Sequence, residues 1–453
     1  ATCTGYEWWL NRIQSLYAME IFVWIFFIVT LCHAADINYM NTTIQEHFSN
    51  IRHHETNSTY KESAKAFIYE EFRRFGLDTE ISNFTTGNVT GYNIIGILKG
   101  KRFGTFKDRI VGIGAHYDTV NNSPGVDDNG SGVAAMLEVA KRAGTLNRYN
   151  TVIFVSFDLG EDNLKGSTYF AKEWLPRFLA SKYNVSKRTS MNLHGFYILD
   201  TIMYYNNSVG SQKLPSGLTE DMINSLFPEV YSILKTDNFQ GNYIHSVYGT
   251  SKYDSLDVPL LKAWESLSAP KYKMGIFPLS YTDVDFLLSY DLRDIVRSDH
   301  ASFWKNYLPA LYLTDSGNYR GVMTNCYHQP CDNLDVMLTE DNLMFMGKQA
   351  DALYYSLHYL AETDCGIPPG IMNSTYSISE DSLTAIYRCI DDTVVFPYKS
   401  NTNLSCMISG EWSQVLFVCV DSRFISGTDS IHAVNGCPRF LVLLATLLLL
   451  MLV

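Results

Sequence analysis

The chain has 453 residues, 46% hydrophobic and 18% charged, a balance that excludes a disordered polymer and leaves room for a large core beside a small second domain. Its formal net charge of −12 excludes a nucleic-acid partner, because no basic cluster is present to neutralise phosphates.

In chain order, the first predicted element is an apolar run. Residues 1–18 contain no Met, whereas Met19 opens MEIFVWIFFIVTLCHA, apolar from Ile21 to Cys32 and followed by the small residue Ala34. This is the shape of a secretory signal peptide, so residues 1–34 are read as leader and signal peptide, with a membrane-anchoring helix as the alternative. Asn-x-Ser/Thr triplets at Asn41, Asn57, Asn83, Asn88, Asn184, Asn206, Asn373 and Asn403 agree with an exported, glycosylated chain. Two more triplets are expected to go unused: Asn121 has Pro124 close behind it, and Asn129 lies in a tight turn.

Residues 36–363 alternate strand-like and helix-like segments. Arg109–His116 is a short apolar run ending in polar residues, and Ser131–Gly144 spaces its apolar residues as a helix with Gly at its close. Thr151–Phe157, Phe196–Asp200 and Ala310–Thr314 read as further buried strands. The order predicts an α/β fold in which a mixed, mainly parallel sheet is sandwiched by helices and ligands gather at the carboxyl ends of strands.

Cysteines mark a different organisation after that point. Cys326 and Cys331 are close together and Cys365, Cys389, Cys406 and Cys419 follow, whereas Lys65 to Lys305 holds none. In an oxidising compartment paired cysteines become disulfides, and a segment of about 55 residues needs such staples to fold. Residues 364–420 are therefore expected to be a small disulfide-rich domain. Beyond it, small residues Ser426–Thr428, a polar spacer from Asp429 to Arg439 and the apolar tail Phe440–Val453 form the three parts of a glycolipid-anchor signal. Asn435–Cys437 is a second possible attachment site, and a short tail anchor is the alternative. Residues 421–453 are accordingly expected to tether the chain to the outer membrane leaflet, giving a cell-surface or secreted location.

The strand ends carry the chemistry. HYDT begins at His116, GVDDNGSG contains Asp127 and Asp128, FDLGEDNLKGS contains Glu161, and FYILD ends at Asp200. His328 follows in CYHQPCD. Five imidazoles and carboxylates delivered to one sheet edge point to a cation, because such carboxylates would otherwise repel one another.

These motifs, matched in order over most of residues 60–360, resemble the secreted di-zinc aminopeptidases of the zinc exopeptidase fold, whose wider relatives include glutamate carboxypeptidase and the transferrin receptor. The resemblance implies two zinc ions: one held by His116 and Asp200, another by Glu161 and His328, with Asp128 as bridge and Asp127 its neighbour. It makes Asp118 the carboxylate that orients His116 and Tyr327 an oxyanion donor, and it implies a peptide substrate or ligand. A disulfide between Cys326 and Cys331 would fix His328, while Asp299 and His300 of the SDH motif would be structural. The end of the chain, through CGIPPG, YRC, SGEW and VC, resembles a sushi (complement control) module. That resemblance implies an all-β fold, disulfides Cys365–Cys406 and Cys389–Cys419, and a role as stalk or as a site for a protein partner.

One position departs from the pattern. Active relatives place two consecutive glutamates at the second strand end, the first as general base and the second as ligand. Counting back from Gly166-Ser167 puts Glu161 in the ligand place and Gly160 in the base place, so hydrolysis is expected to be impaired. Two alternatives remain open on the sequence: a one-residue shift making Glu161 the base and Asp162 the ligand, or Asp158 or Asp162 reaching the water. In the Gly160 register, Gly160→Glu is expected to raise the rate. Asn163 stands where the family has Gly, and Asn tolerates the left-handed backbone such a place requires.

Overall fold

A computed structural model describes residues 34–145, 147–183, 193–215, 217–249, 256–279, 293–362, 368–378, 384–390, 392–397, 400–405 and 412–421. These fall into two compact units, one ending by residue 366 and the other starting at residue 367.

The first unit opens with helices α1 (Ile37–His47) and α2 (Ser58–Arg74). A hairpin follows, β1 (Asp78–Thr86) and β2 (Val89–Leu98), whose two-residue turn uses Gly87 at a φ of +57°. Then come β3 (Ile110–His116), α3 (Gly132–Ala143), β4 (Val152–Phe157) and β5 (Leu193–Leu199). Next are α4 (Glu220–Leu226), α5 (Pro228–Thr236), β6 (Tyr243–Gly249), α6 (Asp257–Ser266) and β7 (Lys273–Leu279). The unit closes with α7 (His300–Trp304), β8 (Ala310–Thr314) and the long α8 (Glu340–Leu360). The observed strand β5 starts three residues before the expected one, and Asp200 lies just past its end.

All eight strands form one sheet in the order β1-β2-β4-β3-β5-β8-β6-β7. The centre is parallel (β4-β3, β3-β5, β5-β8), as is the β6-β7 pair, whereas β1-β2, β2-β4 and β8-β6 are antiparallel. Strands β3 and β4 are buried along their whole length, as a sheet covered on both faces requires. Alternation divides the core: Tyr197 and Leu199 pack with α2, α3, α6 and α8, while Phe196 and Ile198 face Phe170, Phe303 and the α5 side chains. Because β3, β4 and β5 run parallel, their carboxyl ends bring His116, the loop after Phe157 and Asp200 to one edge.

The second unit is all β. Strands β9 (Ser374–Ile378), β10 (Thr384–Cys389) and β12 (Asn403–Ser405) form a sheet in the order β12-β10-β9, and β11 (Thr393–Phe396) pairs with β13 (Val418–Asp421). Its small core is Ala385, Tyr387, Leu404 and Phe417, and Cys389 is bonded to Cys419 with Cα atoms 5.5 Å apart. The expectations for Cys365, Cys406, Asn184, the leader before Ala34 and the tail after residue 421 lie outside the described residues. Among the described residues no helix is long and apolar enough to cross a membrane.

The triplets at Asn83, Asn88, Asn373 and Asn403 are exposed, and Asn41 and Asn57 are half-buried. Asn206 is half-buried as well, and its amide nitrogen donates to Tyr204 Oη at 3.2 Å. Asn129 is fully buried.

Candidate metal centre

Five side chains converge at the carboxyl edge of the sheet in two overlapping sets, His116 with Asp128 and Asp200, and Asp128 with Glu161 and His328. Within each set the ligand atoms all lie within 4.8 Å of one another. Asp128 belongs to both. Its Oδ1 stands 3.6 Å from His116 Nε2, which is also 3.6 Å from Asp200 Oδ1. Its Oδ2 stands 3.1 Å from His328 Nε2, which is 3.3 Å from Glu161 Oε2. Ligands about 2.0–2.2 Å from a tetrahedral ion stand roughly 3.3–3.5 Å apart, so these spacings fit zinc. Glu161 Oε1 is also buried without a hydrogen-bond partner, a condition that a cation would relieve.

Electrostatics agree. Burial, then the Asp128 charge, pushes Glu161 up to about 7, whereas His116 outweighs burial and holds Asp200 down to about 2. His328 is lifted to about 10 against its burial by Asp128 and Glu161, and His116 is raised against its burial by Asp118 and Asp200. The metal-free cluster therefore holds protons at neutral pH that a cation would displace.

The loops that present these groups are tied to one another. Asn129 donates to Leu199 O at 2.8 Å and its Oδ1 accepts from Gly132 N and Thr201 N, so the bridging and Asp200 loops are held together. Asp332 accepts from Asp127 N and Asp128 N at 2.8 and 3.1 Å. Asp127 itself points elsewhere, accepting from Met203 N at 3.0 Å. Fully buried Arg52 donates to five carbonyls, those of Phe48, Asn50, Tyr117, Pro124 and Gly125, clamping the approach to Asp128. Sequence reading missed Arg52 and Asp332. CYHQPCD contains Asp332, but no local pattern distinguishes Arg52.

His328 sits on a left-handed backbone, φ +60°, in the loop closed by the Cys326–Cys331 disulfide. Tyr327 stacks on His328 with ring centroids 4.0 Å apart and carries the Arg297 guanidinium 5.2 Å from its own centroid. Burial, together with Asp128, Glu161 and Asp200, raises the Tyr327 phenol, which stays protonated as a donor.

Asp118 differs from expectation. Its carbonyl oxygen, not its carboxylate, is the nearer partner of His116 Nδ1, at 3.2 against 3.6 Å. The carboxylate instead accepts from Gly160 N at 2.8 Å and Glu161 N at 3.2 Å, pinning the loop after β4. His300 is structural as expected, stacked on Tyr312 at 4.4 Å with Nε2 on Ile295 O. Asp299 is buried beside it with neither oxygen hydrogen-bonded, and burial pushes it up to about 7.

The loop also decides between the alternatives left open at Gly160. Glu161, not Asp162, joins Asp128 and His328, while Asp162 pairs with Lys165. Asp158 is buried on Lys61 at 2.6 Å and accepts from Tyr92 N and Leu159 N, so it does not reach the cluster. Asn163 adopts φ +60°, the conformation its substitution for Gly requires. Gly160 lies against His116: a Cβ there would stand 2.6 Å from His116 Cβ and Cγ. The expectation that Gly160→Glu simply restores a base is corrected accordingly, since His116 or the loop would have to move.

Part of the chain is similar to known proteins. Residues 93–256 match the model of peptidase family M28. Aminopeptidase Y of Saccharomyces cerevisiae is 26% identical over 247 residues, 52% of this chain and 35% of that protein. Aminopeptidase YwaD of Bacillus subtilis is 41% identical over 83 residues, 18% of each chain. This chain thus spans about a third or less of those relatives' lengths. A solved zinc aminopeptidase from Bacillus subtilis, BSAP, aligns at 13% identity with a TM-score of 0.49, covering 74% of this chain and 97% of its own. The segment 93–256, which supplies His116, Asp128, Glu161 and Asp200, is the part of this chain that is similar to peptidase family M28.

Proposed function

We propose that the chain is a di-zinc metalloexopeptidase-like protein of the cell exterior that binds the amino terminus of a peptide and hydrolyses its first bond slowly. The observation that carries the reading is Asp128, whose two oxygens face two separate ligand sets. His116 and Asp200 would hold one ion and Glu161 and His328 the other, with Asp128 between them. Bound zinc supplies Lewis acidity toward the scissile carbonyl and a water of lowered pKa. The protonated Tyr327 phenol donates a hydrogen bond to the carbonyl oxygen as charge develops on it. What the chain lacks is a proton acceptor at position 160. A placed general base contributes about 10²–10⁴-fold, so slow turnover follows.

Activity on aminoacyl-4-nitroanilides tests this. The zinc-loaded chain is expected to show hydrolysis that a chelator abolishes, at a rate about 10²–10⁴-fold below an enzyme with a positioned base. Rapid hydrolysis would contradict the role given to position 160. A second reading, a binding ectodomain without turnover, is favoured by the tying down of Asp158 and Asp162. Zinc-dependent peptide binding with no detectable hydrolysis would select it. The sushi-like second unit, supported by Cys389–Cys419, would then be stalk or recognition module, and the glycolipid anchor would hold both at the outer leaflet.

A further inference from the structure

On the face of the sheet opposite α3 and α8, a cavity of about 100 Å³ lies over β6, β7 and β8. Its walls are mostly apolar, including Leu218, Phe227, Val247, Phe277 and Ile295. Polar and charged side chains interrupt them, Gln212, Lys213 and Asp294 among them, and three bear on the choice of ligand. Tyr312 is 2% exposed, and its Oη lies beside Arg297 and Thr314 without a well-aligned hydrogen bond. His245 is 7% exposed and its Nδ1 has none either. Arg320 Nη2 lies 3.4 Å from His245 Nε2, and a guanidinium only donates, so Nε2 accepts and Nδ1 carries the hydrogen. Burial, with the Arg320 charge, holds this imidazole down to about 3, so it is neutral.

Arg297 is the third. Nη1 donates to Asn318 Oδ1 at 2.6 Å and Nη2 to Ser316 O at 3.3 Å, but its nearest carboxylate, on Asp294, is 3.8 Å away and partly exposed. Its side chain is only 19% exposed. The cavity adjoins the metal centre: Thr314, in its wall, has Oγ1 2.9 Å from Thr201 Oγ1, and Thr201 follows Asp200. Buried donors without partners cost free energy unless a ligand accepts from them. A guanidinium, a phenol and an imidazole N–H around an apolar chamber call for an anionic acceptor carried on an apolar stem.

We propose that this cavity receives the first side chain of a peptide whose amino terminus lies at the metal centre, and that Arg297, Tyr312 Oη and His245 Nδ1 select a side chain ending in a carboxylate. The assignment rests on the metal-centre reading above. Arg297 is a specificity-determining residue here, with no part in the bond-breaking step.

Calorimetry on the zinc-loaded full chain tests it, with L-glutamate, L-glutamine and L-leucine as probes. L-Glutamate is expected to bind about 10–100-fold more tightly than L-leucine, the range for a desolvated charge-assisted pair. In Arg297→Gln the ratio should fall toward one, and Arg297→Lys should restore part of it. Glutamine or leucine binding as tightly as glutamate would overturn the assignment, as would an Arg297→Gln chain that keeps the ratio while weakening every probe. If the zinc-loaded chain binds none of the three, the cavity assignment falls and the metal centre stands. A chain that takes up no zinc overturns the underlying reading and this one with it.

Discussion

Position 160 has no room for a side chain. The glycine backbone closes onto His116, its N–H is bonded to Asp118, and Leu159 before it adopts φ +54°, a conformation costly for a branched residue. A side chain at this position would have to displace His116 or open the loop. Gly160→Glu is expected to leave the rate of aminoacyl-4-nitroanilide hydrolysis unraised and to destabilise the chain by about 1–3 kcal/mol, the usual cost of overpacking. A calorimetric melt and a rate measurement on the purified variant check this. A rate rising by about 10²-fold or more would mean that the loop opens readily and still awaits a base. The preference of a sequence register for Glu161 as ligand is likewise a statement about single residues, and the pairing of Asp162 with Lys165 supports it at that scale.

At the scale of elements, three parallel strand ends and the turns after them make the site. The strands were readable because buried parallel strands are continuous apolar runs, as in RIVGIGAH and TVIFVSF, and because each run stops at a polar residue. The ties between the turns were less readable. Asn129, Asp332 and Arg52 act across long sequence separations, and Arg52 is bonded to Gly125, 73 residues away. No local pattern encodes such a contact. Asp118 shows both sides: its place two residues after His116 marked it as important, but its carboxylate works on the β4 loop. Asp118→Asn keeps one acceptor and turns an amide N–H₂ toward a backbone N–H. Zinc affinity is expected to fall about 10–100-fold, as for other groups that support ligands. Competition with a chromophoric chelator measures it, and unchanged affinity would show that the loop holds Glu161 without Asp118.

For the whole molecule, the sheet divides labour between its faces and its edge. One face, packed by α3 and α8, and the other, packed by aromatic side chains around Phe170 and Phe303, make the edge rigid. The cavity over β6, β7 and β8 is a property of that assembly, lined by residues from Gln212 to Tyr319, which is why no single stretch of sequence announced it. The second unit has its own core and its own disulfide, Cys389–Cys419. The proposed function makes Asp128, common to both ligand sets, the shared carboxylate of two ions. Zinc counted by mass spectrometry on the purified full chain, beside Asp128→Asn and His328→Ala, tests that directly. Two zinc ions are expected in the parent chain, one in His328→Ala and neither held stoichiometrically in Asp128→Asn. A parent chain with no zinc, or an Asp128→Asn chain that keeps one ion at full occupancy, would contradict the shared centre.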